Sequence, residues 1–256
     1  MNQFNRDNDT IFLRSQISKY DTDIFGFNVA FISDLEVKSS LNLQEEYRFY
    51  YKWLVKHSIK IVSCRLESSK LQESFFLEKN NFRFIETVLH PILTDLQNYP
   101  CESNSFVVLP ANQNDIEEIK FIAENSFRFE RYHTDPRFDN QLADKRYGVW
   151  VENSFKDGSN QVLLKVVNDE NAILAFFIIE QSDENSIYWH LTAVNPKFQN
   201  MGLGFAIWLS VIHYHKSLGF SSIDTTISSR NFRVLNLYSK LNFRFKSPEH
   251  SFHLFL

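Results

Sequence analysis

Hydrophobic and polar positions along this chain follow two periods, and the switches between them mark its elements. Asp21 to Ile32 reads as a turn leading into a strand, Asn42 to Lys56 as an aromatic-rich helix and Ile59 to Leu66 as a strand. A helix over Leu71 to Lys79 and a strand over Phe82 to Leu89 follow. Asn98 to Asn104 (N-Y-P-C-E-S-N) then gathers turn-forming residues and predicts a linker between a domain at 1–97 and a second at 105–256. Beyond it come a strand at Phe106 to Leu109, helices at Asp115 to Glu124 and Gln141 to Ser154, and three strands, Val162 to Val167, Ile173 to Glu180 and Ile187 to Val194. Turn-forming clusters at Asn168 to Asn171 and Ser182 to Ser186 separate those strands. A helix from Gly202 to Leu218, a strand from Ser222 to Ile227, a helix from Asn231 to Lys240 and short strands at Phe243 to Phe245 and Phe252 to Leu256 close the chain. The order is α/β (α+β) with an antiparallel meander in the middle.

K-N-N-F-R-F at Lys79 to Phe84 returns as K-L-N-F-R-F at Lys240 to Phe245, 161 residues on. Each copy closes an amphipathic helix and opens a strand. Two copies are too few for a solenoid. They fit either two related halves or a common way of ending a helix on Asn, which tolerates a left-handed backbone.

Composition narrows the function classes. With 256 residues, 43% hydrophobic and 23% charged, the chain is long enough for a real core and too apolar for disorder. A net charge of −4 without a Lys/Arg-rich stripe argues against nucleic acid as a partner. Apolar runs such as Ala172 to Ile179 are too short to span a membrane, and Met1 to Asp9 is polar, so neither a membrane partner nor export is expected. Two cysteines, Cys64 and Cys101, make no disulfide framework and have no metal-ligand spacing. The expectation is a cytoplasmic protein without a metal.

The chemistry concentrates in V-N-P-K-F-Q-N-M-G-L-G, Val194 to Gly204, between a strand and a helix. Gly202 and Gly204 allow a tight turn, and the free N–H groups of a helix start form an anion site. The spacing matches neither a Walker loop nor a dinucleotide fingerprint. It resembles the coenzyme A pyrophosphate loop of the GNAT acetyltransferase superfamily, a V-x-P strand end followed by Q/R-x-x-G-x-G/A, in which Gln199, Gly202 and Gly204 match. The resemblance implies a GNAT fold: a mixed, mostly antiparallel twisted sheet flanked by helices, preceded here by a smaller partial GNAT-like domain without a second Q-x-x-G-x-G loop. It implies acetyl-CoA as acetyl donor, bound by Val194, Gln199, Asn200, Met201, Gly202, Leu203 and Gly204. In the next motif, S-S-R-N-F-R-V-L-N-L-Y from Ser228, Asn231 would bind the cofactor and Tyr238 would face the thioester sulfur. Seven residues are almost two helical turns, so both lie on one face. Asn242 stands where the family usually has Gly.

The implied reaction is direct attack of a neutral amine on the thioester. Val194 N–H would steady the oxyanion and Tyr238, with an ordinary pKa of about 10, would protonate the departing sulfur. Tyr188, His190 and Thr192 share a face of their strand by the period-2 rule, and because this strand often carries a proton acceptor in the superfamily, the resemblance implies His190 as a candidate base, with Glu180 second.

The stretch S-F-R-F-E-R-Y-H-T-D-P-R-F-D-N, with Y-G-V-W-V behind it and Y-D-T-D-I-F-G-F-N-V-A near the start, is similar to a narrower GNAT group, the dTDP-fucosamine acetyltransferases. The similarity implies a nucleotide-linked amino-deoxysugar acceptor of the dTDP type for surface polysaccharide, contacted by Arg128, Arg131, Tyr132, His133, Asp135 and Tyr147. Arg suits a diphosphate and aromatic rings suit base and sugar faces; the same Arg and Asp residues could equally pair with one another. Another amine acceptor (a protein N-terminus, a polyamine or an aminoglycoside), a non-catalytic coenzyme A-binding module, and a homodimer built on the first domain all stay open.

Overall fold

The computed structural model describes residues 2–100, 106–156 and 158–256. Its strands and helices are, in order, β1 (Gln3–Asp7), β2 (Ile11–Ile17), α1 (Lys19–Phe25), β3 (Asn28–Val37), α2 (Leu43–Lys56), β4 (Ile59–Glu67), α3 (Leu71–Lys79), β5 (Arg83–Leu89) and β6 (Pro91–Thr94). They continue with β7 (Val107–Pro110), α4 (Ile116–Glu124), α5 (Arg131–Thr134), α6 (Asn140–Ser154), β8 (Gln161–Val167), β9 (Ile173–Asp183) and β10 (Ser186–Val194). Last come α7 (Gly204–Ser217), β11 (Ser222–Thr225), β12 (Ile227–Ser228), α8 (Phe232–Lys240), β13 (Arg244–Phe245) and β14 (Glu249–Phe255). Among the described residues no helix is long and apolar enough to cross a membrane.

The chain forms two compact units, residues 1–88 with 247–256, and residues 89–246. The division therefore falls at 88/89 and again at 246/247, not at the expected linker. Residues 91–100 are built into the second unit: Leu96 is fully buried, its N–H donates to Ser221 O at 3.0 Å, and Tyr99 Oη donates to Leu241 O at 3.2 Å. The rest of the expected linker, 101–104, lies outside the described residues.

In the first unit the strands lie in the order β1-β2-β3-β4-β14-β5. β3 and β4 are parallel, and β14 runs antiparallel between β4 and β5. Tyr50 and Leu54 of α2 and Phe76 and Leu77 of α3 cover this sheet in one core with Phe252 and Leu254 of β14. The last strand thus belongs to this unit, a correction to the 105–256 boundary. The segment read as a turn and strand at Asp21 to Ile32 also differs. Ser18 caps a short helix by accepting from Asp21 N at 3.1 Å, Gly26 ends it at φ 75°, and the strand begins only at Asn28.

The second unit holds a seven-stranded sheet, β13-β6-β11-β10-β9-β8-β7. It is antiparallel apart from the β10–β11 pair. Residues of β9 alternate between two cores. Phe177 faces Trp208, Val211 and Ile212 of α7 and Tyr238 of α8, while Phe176 and Ile178 face Ile119 and Ile122 of α4 and Val151 of α6. Both copies of the repeated motif end their helices alike, with Asn81 at φ 66° and Asn242 at φ 60°.

Candidate active site

The loop after β10 is fixed before it turns. Asn195, 1% exposed, donates from Nδ2 to Ile173 O at 2.9 Å and accepts from Lys197 N at 3.1 Å. Gln199 Nε2 donates to Val194 O at 3.0 Å and ties the loop to the end of its strand. Asn200 at φ 66° and Gly202 at φ 76° then reverse the chain, and a Cβ on Gly202 would meet nothing within 4 Å. The glycine is there for backbone freedom rather than for space. α7 starts at Gly204 with no side chain capping it, so its first N–H groups are offered outward beside exposed Met201. A Cβ on Gly204 would lie 3.8 Å from Leu237 Cδ2, so α8 packs close against this helix start, with Leu203 part-buried on the same core. Such an uncapped helix start after a left-handed turn fits a diphosphate.

β10 and β11 form a fork. Their parallel pairing ends at Trp189 and Thr225, and Thr225 Oγ1 donates to Trp189 O at 2.8 Å where they part. Asn195 N donates to Leu174 O at 2.8 Å, toward β9, so by strand alternation Val194 presents its N–H and C=O to the open side of the fork. Gln199 takes the carbonyl and leaves the N–H.

Tyr238 reaches the fork from α8. It is 2% exposed, its ring lies 4.8 Å from that of Phe243, and its hydroxyl faces Trp208, Thr225 and Thr192. Burial raises its pKa above the usual value, so the hydroxyl keeps its proton. Asn231, seven residues earlier, accepts from Val234 N at 3.3 Å and caps α8, which spends its side-chain oxygen and leaves its amide N–H groups for a ligand.

The strand between these groups is bulged. Trp189 pairs with Ile179 and Leu191 with Ile178, so His190 is an inserted residue. Ile187 and Trp189 face the α7 core, whereas Leu191 and Ala193 face the α4–α6 core. The expectation that Tyr188, His190 and Thr192 share one face is therefore corrected. Tyr188 and His190 rings lie 4.7 Å apart and His190 is 6.1 Å from Trp150 of α6, while Thr192 has crossed to the Tyr238 side. His190 Nε2 lies 2.8 Å from Glu180 Oε2, which joins the two candidate bases in one pair.

The expected acceptor residues form one cluster, but mostly with each other. Arg137 holds Asp135, 1% exposed, through Nε to Oδ1 at 2.8 Å and Nη2 to Oδ2 at 2.7 Å. Arg128 pairs with Asp144, and His133 lies between Glu130 and Asp144, with Nε2 2.8 Å from Asp144 Oδ1. Burial pulls the His133 pKa down, but the two carboxylates outweigh it and hold the imidazole above its ordinary value. Burial likewise pushes Glu130 up, yet its bond to His133 brings it below the ordinary carboxylate value. Tyr132, 2% exposed, is flanked by Arg131 at 4.7 Å and Arg146 at 4.9 Å, and Tyr147 stacks on Phe127 at 4.2 Å. Tyr132, His133, Asp135 and Tyr147 thus turn inward, and Arg128 stays exposed. Sequence reasoning missed Trp208 and Thr225 at the fork, whose spacing reads as core packing, and Glu130, whose position before Tyr132 and His133 signals a helix cap.

The chain is similar to several known proteins. Residues 121–243 match the acetyltransferase (GNAT) family. The spore coat polysaccharide biosynthesis protein SpsD of Bacillus subtilis (strain 168) is 21% identical over 149 residues, 58% of this chain and 50% of that protein. The chain thus aligns with about half the length of this curated relative. A GCN5-related N-acetyltransferase from Sphaerobacter thermophilus superposes with TM-score 0.65 at 12% identity, over 95% of this chain and 76% of that one. A tandem GNAT protein from the clavulanic acid biosynthesis pathway does so with TM-score 0.64 at 11% identity, over 96% of this chain and 79% of that one. The family match thus covers residues 121–243, just under half of the chain, and the solved structures share the fold.

Proposed function

We propose that the protein is an acetyl-CoA-dependent N-acetyltransferase acting on the amino group of a nucleotide-linked amino-deoxysugar. The observation that carries the reaction is the pairing of an uncapped helix start at Gly202–Gly204 with a buried, protonated Tyr238 at the β10–β11 fork. Acetyl-CoA supplies an acetyl group activated as a thioester. The N–H groups at the start of α7 would hold its diphosphate, and Asn231 would offer the amide N–H groups that its capping role leaves over. Val194 N–H stabilises negative charge on the carbonyl oxygen, and Tyr238 Oη–H gives its proton to the departing sulfur. Glu180 accepts from His190 Nε2 and so leaves Nδ1 to take the proton of the attacking amine.

For the acceptor, the reading rests on the similarity to a protein named for spore coat polysaccharide biosynthesis and on the loop from Ser126 to Asn140. Arg128, its side chain 47% exposed and paired with Asp144, supports this reading as an exposed cation of that loop, a charge suited to a diphosphate. A cytoplasmic location, where acetyl-CoA and nucleotide sugars occur together, belongs to the same reading. The test is coenzyme A thiol release with a panel of dTDP- and UDP-linked 4-amino and 3-amino deoxysugars. Fast release with one sugar supports both reaction and acceptor. Release with polyamines or peptides but with no sugar overturns the acceptor, and binding of acetyl-CoA without release to any amine overturns catalysis.

A further inference from the structure

We propose a second ligand site in the first unit, a cleft between α2, the end of α3 and β14 that takes a nucleoside diphosphate. The cleft measures about 540 Å³, within the range of small-molecule sites, and all of its lining belongs to residues 44–81 and 254–256. It is therefore separate from the glycine loop and from the acetyl-transfer reading.

Three cations converge on it. Arg48 and Lys52 stand one turn apart on α2, and Lys79 ends α3. None of the three makes an ion pair with a described residue. The nearest acid on that helix with a fixed partner, Glu46, is taken by Arg6 at 2.5 and 3.1 Å. Like charges four apart on a helix repel, and a third cation adds to the repulsion; a bound anion relieves it. Two phosphates supply that anion, with the Arg48 guanidinium suited to hold their oxygens in pairs.

The remaining lining suits the rest of a nucleotide. Tyr51 is 45% exposed and offers a ring face to a base, and behind it Tyr47 is buried with ring centroids 6.2 Å apart. Gln44 Nε2 donates to Asn80 Oδ1 at 3.0 Å, and Asn80 Nδ2 donates to Phe76 O at 2.8 Å, which braces that wall. Asn81, held left-handed at φ 66°, leaves an exposed amide at the rim for hydroxyl or base-edge contacts. A stripe of Gln44, Arg48 and Lys52 on one helix face is thus backed by a braced polar wall rather than left to open solvent.

The test is calorimetric titration of the full chain with dTDP, inorganic pyrophosphate and thymidine. Arg48→Ala/Lys52→Ala is expected to weaken dTDP and pyrophosphate binding at least tenfold, and Lys79→Ala alone several-fold. Tyr51→Ala should weaken dTDP while leaving pyrophosphate unchanged, and acetyl-CoA affinity should hold in every variant. These side chains are exposed, so thermal melts should stay within a few degrees; should the double variant fold poorly, Lys79→Ala and Tyr51→Ala decide alone. Equal dTDP affinity in all variants, or none in the native chain, overturns the site. Pyrophosphate binding that the thymidine group does not strengthen overturns the nucleoside assignment. Absence of acetyl transfer leaves the site untouched, because its readout is binding.

Discussion

Because Tyr238 is buried among Phe243, Trp208 and two threonines, its ring and its hydroxyl can be tested separately. Tyr238→Phe keeps the packing and removes one O–H, leaving the Thr192 and Thr225 hydroxyls a partner short at a cost of about 1 kcal/mol. If the hydroxyl protonates the sulfur, the maximal rate of thiol release falls roughly 100-fold while the acetyl-CoA dissociation constant moves less than about twofold. Weaker binding with an unchanged rate would make Tyr238 a packing residue. His133 gives a different kind of expectation. Its pKa is raised in the folded chain, so the stability it contributes is full below about pH 6.5 and is lost as pH rises through the raised value. Glu130 is lowered, so its contribution is full above about pH 4.5 and is lost as pH falls through its own value. The loop around α5 is therefore held best in mild acid. Hydrogen-exchange protection over residues 128–139 should decline as pH rises beyond about 6.5, and His133→Asn should flatten that decline and cost about 2 kcal/mol locally. A pH-independent protection in the native chain would remove His133 from the loop's support.

Gly202→Ala separates loop geometry from global stability. No atom stands within 4 Å of the added Cβ, so the cost is the left-handed backbone, about 1–2 kcal/mol for an L-residue. The loop is exposed and can rearrange, so the melting temperature should barely move while acetyl-CoA affinity drops about tenfold; surface plasmon resonance beside a thermal melt checks both. This loop was legible in the sequence because Gly and the strand-to-helix switch are local signals, and the left-handed Asn81 and Asn242 were legible for the same reason. The bulge at His190 was not. A period-2 reading assumes an unbroken ladder, and nothing in Y-W-H-L-T announces an inserted residue, so Thr192 was placed on the wrong side of the strand. The bulge matters to the site, since it lets one strand present His190 toward α6 and Thr192 toward α8. The acceptor loop stayed open between ligand contacts and internal pairing for another reason. Composition shows Arg and Asp together but not which of them pair, and the pairs Arg137–Asp135 and Arg128–Asp144 form only in three dimensions.

The two sheets follow one plan that the chain order conceals. In the first unit a strand lies between β4 and β5, and in the second a strand lies between β11 and β13; both neighbours on each side follow the same helix-strand pattern that carries the repeated motif. The inserted strand of the first sheet is β14, from the end of the chain, and that of the second is β6, which follows β5. The halves have exchanged equivalent strands, which is why a boundary drawn along the sequence cannot match the compact units. Removing residues 247–256 tests this. It takes Phe252 and Leu254 from the first core, at about 1.5–3 kcal/mol each, and strips a strand hydrogen-bonded on both sides. That loss is comparable to a whole domain's stability of roughly 5–15 kcal/mol, so the first unit should unfold. The second keeps every strand of its own sheet, β6 included, so limited proteolysis should digest residues 1–88 within minutes and leave a fragment that retains β6 within 89–246. A synthetic 247–256 peptide should restore resistance by pairing with the bare edges of β4 and β5. Simultaneous digestion of both units would show that they fold as one cooperative body.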